Sequence, residues 1–140
     1  AAHGANFAKT MLRLAGDRDE IGVVADQRGR PTAAEDIAPA LWALGKGIVA
    51  RGEPPHLLYH LGPQGEATWA DFAAEIMELS KAAGGPWAHI KRITTADYPT
   101  PAKRPANSVL DCSRIAEDWG IRLPDWRESC ARVVREIVAG

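Results

Sequence analysis

Only two of the 140 residues are cysteine, Cys112 and Cys130, which excludes a disulfide framework and leads us to expect reduced thiols in a cytoplasmic setting. The formal net charge of -1 leaves no basic excess, so a nucleic-acid partner is not expected. No apolar run approaches the roughly 18 residues that a membrane span needs, so no membrane partner is expected either. Ala1–Gly16 lacks the basic start and apolar stretch of a signal peptide. The chain does not begin with methionine, and a piece of something longer is the expectation.

Several chemical motifs are missing as well. A dinucleotide site needs a glycine-rich turn between a strand and a helix. The nearest match, Gly45-Lys46-Gly47-Ile48-Val49-Ala50, follows helical spacing and reads as a helix C-terminus. A tyrosine with a lysine four positions on along a helix would suit reductase proton transfer. Tyr59 is followed at that spacing by Pro63, and Tyr98 has Lys103 five residues on with Pro99 and Pro101 between. His3, His56, His60 and His89 are scattered; His56 and His60 could share one face of a strand, but no further ligand completes a zinc set.

With 46% apolar and 25% charged residues, the chain has the composition of a soluble globular domain. Phe7, Met11 and Leu14 predict a helix over 6–15, capped by Asn6 and ended by Gly16. Ile21–Ala25 reads as a short buried strand, followed by the loop Asp26–Thr32. Thr32 and Glu35 have capping-box spacing, and Ile37, Leu41, Leu44 and Ile48 form one stripe. Pro39 conflicts with a continuous helix, so a separate turn at 33–35 and a main helix from Asp36 are expected. Leu57–Leu61 and Ile90–Thr94 read as two further strands. Thr68 and Asp71 open a helix with Trp69, Phe72, Ala73, Ile76 and Leu79 facing inward. Asp97–Ser108 carries three prolines in 12 residues and must be extended loop. Short helices at 113–119 and from Asp125 complete the chain, the last with Trp126, Cys130, Val133, Val134 and Ile137 inward. The expected fold is α/β: a small parallel or mixed sheet of about three short strands packed with five helices, in one domain over 1–140.

Four stretches in order, Gly4–Ala15 (GANFAKTMLRLA), Val23–Thr32 (VVADQRGRPT), Tyr59–Phe72 (YHLGPQGEATWADF) and Tyr98–Leu110 (YPTPAKRPANSVL), resemble the dTDP-4-dehydrorhamnose reductases. These are extended short-chain dehydrogenase/reductases, and Leu123–Trp126 (LPDW) suits the family's C-terminal end. The resemblance spans nearly the whole chain and implies its C-terminal, substrate-binding part. The N-terminal Rossmann half, with the NADPH site and the Tyr-x-x-x-Lys pair, would then be absent. The parent would be an NADPH-dependent oxidoreductase making dTDP-L-rhamnose for bacterial polysaccharide. This chain would bind no cofactor and would be inactive alone; a stand-alone nucleotide-sugar-binding module or a self-associating structural fragment is the alternative. Loss of one half should expose apolar surface, so self-association is expected.

By the same resemblance Asn6 would offer its amide to a sugar or diphosphate at the first helix's N-terminus, or serve as its cap. Phe7 is core or nucleotide wall, and Lys9 reaches the site only if that face is open. Val24, Gln27 and Thr32 would line base and ribose, Gln27 having donor and acceptor for a pyrimidine edge and Thr32 being equally a helix cap. Arg104, braced by prolines, suits a bidentate phosphate contact, or packs as a surface arginine. Asn107 and Ser108 tie the loop down or, for Asn107, face the ligand; Trp69 and Trp126 read as core. Some family members hold magnesium with glutamates at a dimer contact, and Glu35 and Glu136 stand at plausible places.

Overall fold

A computed structural model describes residues 3–102 and 104–140. Lys103 therefore lies outside the described residues. Five helices and four short strands follow in the order α1 (Phe7–Ala15), β1 (Glu20–Val24), β2 (Arg28–Gly29), α2 (Ala34–Arg51), β3 (Ala67–Thr68), α3 (Trp69–Ala82), β4 (His89–Ile93), α4 (Ser113–Trp119) and α5 (Trp126–Ala139). A 3-10 turn, Thr95–Asp97, follows β4.

The strands form two separate pairs. β1 and β4 run parallel with Glu20 opposite His89 and Val24 opposite Ile93, and β2 and β3 run antiparallel. α3 stands at the centre and packs against α1, α5, β1 and β4. Its inward residues Ala70 and Ala73 carry only a methyl group, which lets its neighbours come close, and Ile76 and Met77 fill the space beyond. Met11, Leu12, Ile21, Val23, Trp126, Cys130 and Val134 close the same core from α1, β1 and α5.

The capping box expected at α3 is present. Asp71 N–H donates to Thr68 Oγ1 at 3.1 Å, and Thr68 N–H donates back to Asp71 Oδ2 at 3.0 Å. Arg92 of β4 donates to Asp71 Oδ1 at 2.5 Å, tying the cap to the sheet. Partial burial pushes the Asp71 carboxyl up, but the hydrogen bonds from Arg92 and Thr68 outweigh it and bring the pKa down to about 2. A carboxyl depressed in the folded state stabilises the fold above its unfolded pKa of 3.8, and that contribution is lost as pH falls toward about 2. Asp71→Asn is therefore expected to lower stability at pH 7 and to flatten the acid limb of a urea-midpoint profile between pH 4 and 2. An acid limb unchanged by the substitution would show that Asp71 is not its source.

Three expectations are corrected. α2 runs unbroken from Ala34 to Arg51 with Pro39 inside it. Pro39 lies on an exposed side, where water can take the place of the missing backbone donor, so one lost bond does not split the helix. Gly45 and Gly47 are therefore interior to α2, and the helix ends at Gly52 with a φ of 91°. The Thr32–Glu35 capping box does not form: the N-cap is Ala33, and the Thr32 hydroxyl donates to Arg30 O at 2.9 Å. Leu57–Leu61 is not a strand. A strand needs a neighbour, and this run is held by side chains instead. Tyr59 OH and His56 Nδ1 both meet Asp118 Oδ2 at 2.8 Å, and His60 Nδ1 lies 3.2 Å from Asp111 O. None of the described helices is long and apolar enough to cross a membrane.

Candidate functional site

The loop after β1 is the organising element. Ala25 N–H continues the β1–β4 ladder to Ile93 O at 2.9 Å, and the chain then turns away through Asp26 and Gln27 into β2. Asp26 accepts from Thr95 N–H and from the Thr95 hydroxyl, the latter at 2.7 Å, which fixes the 3-10 turn at the start of the proline-rich loop. Those Thr95 hydrogen bonds hold the Asp26 carboxyl below its ordinary value. The far end of the same loop returns to β2: Arg28 N–H donates to Ala106 O at 2.8 Å, and Ser108 N–H donates to Arg28 O at 2.9 Å. The three prolines thus lie in a span pinned at both ends.

Gly29 makes the second attachment possible. A Cβ there would stand 2.9 Å from Ser108 Oγ, closer than side chains tolerate. Gly29→Ala is expected to push Ser108 off the Arg28 carbonyl, to cost about 1 kcal/mol for the displaced hydrogen bond, and to speed proteolysis between Tyr98 and Ser108. Unaltered cleavage rates would show that the stitch does not hold the loop.

Three adjoining cavities open around Trp69. One of about 580 Å³ is lined by Phe7, Val24, Gln27, Trp69, Tyr98 and Arg104, among others. A second of about 300 Å³ has Gln27, Arg28, Arg30, Trp69, Arg104 and Ser108 in its wall. The third, about 330 Å³, takes in Asn6, Phe7, Arg30, Thr32, Trp69, Trp126 and Cys130. Trp69 borders all three and is 44% exposed, so the expectation that it faces inward is corrected. Its position at the first residue of α3 places the indole at the rim of the core rather than inside it. Phe7 stacks on Phe72 with ring centroids 5.4 Å apart and meets Trp69 at 4.8 Å, so it is both core edge and cavity wall.

The expected site residues divide by position. Phe7, Val24, Gln27 and Arg104 border one cavity, while Asn6 and Thr32 border its neighbour. Asn6 caps α1, its Oδ1 accepting from Lys9 N–H at 3.0 Å. Gln27 donates to Thr95 Oγ1 at 3.0 Å, which holds its amide between two cavities. Arg104 is exposed and forms no ion pair among the described residues. Lys9 is half-buried and lines none of these cavities. Asn107 also lies outside them; its Oδ1 accepts from Val109 N–H at 3.0 Å, and it bridges to Arg28.

Sequence reasoning missed Arg30, Phe72 and Tyr98. Arg30 donates to Pro63 O at 3.1 Å, its Nε is buried with no hydrogen-bond partner, and the residue borders the cavities of about 300 and 330 Å³. The only signal for it was its place between Gly29 and Pro31 in the loop. Cys130, at the floor of the third cavity, has its thiol pushed up to about 12 by burial and by the charge of Glu75. A thiol reagent at pH 8 is expected to modify Cys112 in the native protein and Cys130 only after unfolding; equal rates would contradict the burial of Cys130.

Among the described residues no three of His, Cys, Asp or Glu come together to hold a metal. The strand–helix turn that a dinucleotide needs is also not formed by Gly45–Ala50, which is helical.

A guanidinium, an amide held by Thr95 and an aromatic wall thus border adjoining cavities of an α/β domain. The chain belongs to the family described as the RmlD substrate binding domain, which it matches over residues 1–139. It is 43% identical over 133 residues to a dTDP-4-dehydrorhamnose reductase of Sinorhizobium fredii, a match that covers 94% of this chain and 45% of the relative. Among solved structures, a dTDP-4-dehydrorhamnose reductase from Clostridium acetobutylicum superposes with a TM-score of 0.81 at 32% identity, covering 94% of this chain and 43% of that one. A second, from Bacillus anthracis in complex with NADP, gives a TM-score of 0.73 at 27% identity, with coverages of 94% and 42%. The chain thus spans less than half the length of these relatives.

Proposed function

We propose that this chain is the substrate-binding portion of an NADPH-dependent dTDP-4-dehydrorhamnose reductase that makes dTDP-L-rhamnose for bacterial polysaccharide. The observation that carries this reading is the placement of Arg104 and Gln27 at the junction of two cavities walled by Trp69. A guanidinium suits a diphosphate, and an amide beside an aromatic wall suits a pyrimidine and its sugar. The hydride donor and the proton-donating tyrosine belong, in this reading, to a Rossmann half outside this chain. Alone, the chain turns over no keto sugar, and it self-associates because its apolar face lacks a cover.

The test joins this chain to the part of the Sinorhizobium fredii reductase that it does not match. The joined protein is expected to bind dTDP by calorimetry and to oxidise NADPH with the dTDP-4-keto sugar, while the isolated chain does not. Turnover by the isolated chain, or no dTDP binding by the folded joined protein, would overturn the reading. Tight dTDP binding by the isolated chain without turnover in either form would favour a stand-alone binding module.

A further inference from the structure

A chain of hydrogen bonds behind the cavities fixes which way one side chain faces. Asp26 lies just past β1, and Thr95 opens the 3-10 turn just past β4. The parallel pairing of those strands, with Val24 opposite Ile93, brings the two residues side by side. The Asp26 carboxylate takes the Thr95 N–H at 2.9 Å and the Thr95 hydroxyl at 2.7 Å. Gln27 Nε2 reaches the same hydroxyl oxygen at 3.0 Å.

The charge at one end sets the direction of each bond. An ionised carboxylate only accepts, so the Thr95 hydroxyl gives its one hydrogen to Asp26. The bonds from Thr95 hold the Asp26 carboxyl below its ordinary value, which keeps it ionised at neutral pH. The Thr95 oxygen then has only lone pairs left for Gln27, so the amide turns its NH2 toward Thr95. The amide oxygen, Oε1, is left without a hydrogen bond among the described residues. Gln27 borders the cavities of about 300 and 580 Å³ together with Trp69 and Arg104. A glutamine free to rotate could offer a donor or an acceptor there; this one offers an acceptor.

We infer that Asp26 and Thr95 are positioning residues that lock Gln27 with its carbonyl toward the cleft, and that this carbonyl selects a pyrimidine carrying hydrogen on ring N3. Thymine and uracil carry that hydrogen. Cytosine has a lone pair at N3 and its donor one position round, on the exocyclic nitrogen at C4. With cytosine two acceptors would face each other, and a buried polar group without its partner disfavours the wrong ligand. The inference rests on the proposed function in placing a nucleotide in this cleft.

The experiment titrates the joined protein described above with dTDP, dUDP and dCDP by calorimetry. The last two ligands lack the ring methyl and differ only at N3 and C4, so their ratio isolates the contact. The parent is expected to bind dCDP about tenfold or more weakly than dUDP. Thr95→Val removes the hydroxyl and keeps the backbone bond to Asp26, so the loop stays moored while the amide can turn over. It is expected to shrink the ratio by about 3- to 10-fold, whereas Thr95→Ser keeps it. Asp26→Asn puts an NH2 where the carboxylate only accepted, lets the bonds run the other way, and is expected to shrink the ratio at least as far. Gln27→Ala, which disturbs neither Asp26 nor Thr95, is expected to do the same. A ratio retained in Thr95→Val and Asp26→Asn, or in Gln27→Ala, would overturn the inference, as would a parent that binds dCDP as tightly as dUDP. A folded joined protein that binds neither dTDP nor dUDP sinks the cleft itself; binding of both with an unmoved ratio sinks this inference alone.

Discussion

Replacing Trp126 with alanine is expected to cost about 3–5 kcal/mol of folding stability. The side chain is 1% exposed and stands at the start of α5, where it meets Phe72 edge-on with centroids 5.9 Å apart. Phe72 in turn stacks on Phe7, which leans on Trp69, so four rings run from the core to the rim of the cavities. A domain of this size holds only about 5–15 kcal/mol in total, and the loss is expected to leave a large unfolded fraction at 37 °C. Trp126→Phe should cost much less. Its indole Nε1 is buried without a hydrogen-bond partner, so removing that nitrogen leaves no orphaned acceptor behind. Urea denaturation monitored by circular dichroism measures both. A Trp126→Ala midpoint close to that of the parent would mean the ring chain is not what holds α5 to α3.

The second large effect concerns binding rather than folding. Arg104→Ala is expected to weaken dTDP binding to the joined protein by about 10- to 100-fold, the range of a charge-assisted hydrogen bond. Its thermal unfolding should not move, because Arg104 is exposed and unpaired among the described residues. Arg104→Lys should restore only part of the affinity, since an ammonium cannot make the two-pronged contact. Raising the salt concentration should weaken the parent's binding more than the alanine variant's. Calorimetry at two ionic strengths reads all of these. Equal dissociation constants for parent and Arg104→Ala would remove the diphosphate from this arginine.

Local signals carried most of the fold. Asn6, Thr68, Gly120 and Asp125 mark helix ends by side-chain chemistry or by a left-handed turn, and each does so where its spacing indicated. Helix α2 and Leu57–Leu61 were misjudged because their outcome depends on neighbours. Pro39 is tolerated where water replaces a donor, and Leu57–Leu61 lacks a partner edge to make it a strand. The pairs β2–β3 and Arg28–Asn107 are two-residue contacts between distant segments, and no periodicity announces so short a strand. The candidate site was legible as far as motif resemblance reached, at Phe7, Val24, Gln27 and Arg104. Trp69 was not, because its helical spacing matches core residues; only its place at the first turn puts it on the rim. Arg30 and Tyr98 become wall residues through long-range folding of loops, which leaves no local trace.

The span that carries Arg104 has both feet on one short footing, since Thr95 is moored to Asp26 and Ser108 to Arg28. A protease that severed the backbone between those moorings would leave two pieces still travelling together under native conditions. The break would show only once the protein was denatured, and the guanidinium would stay within reach of its cavity in the meantime.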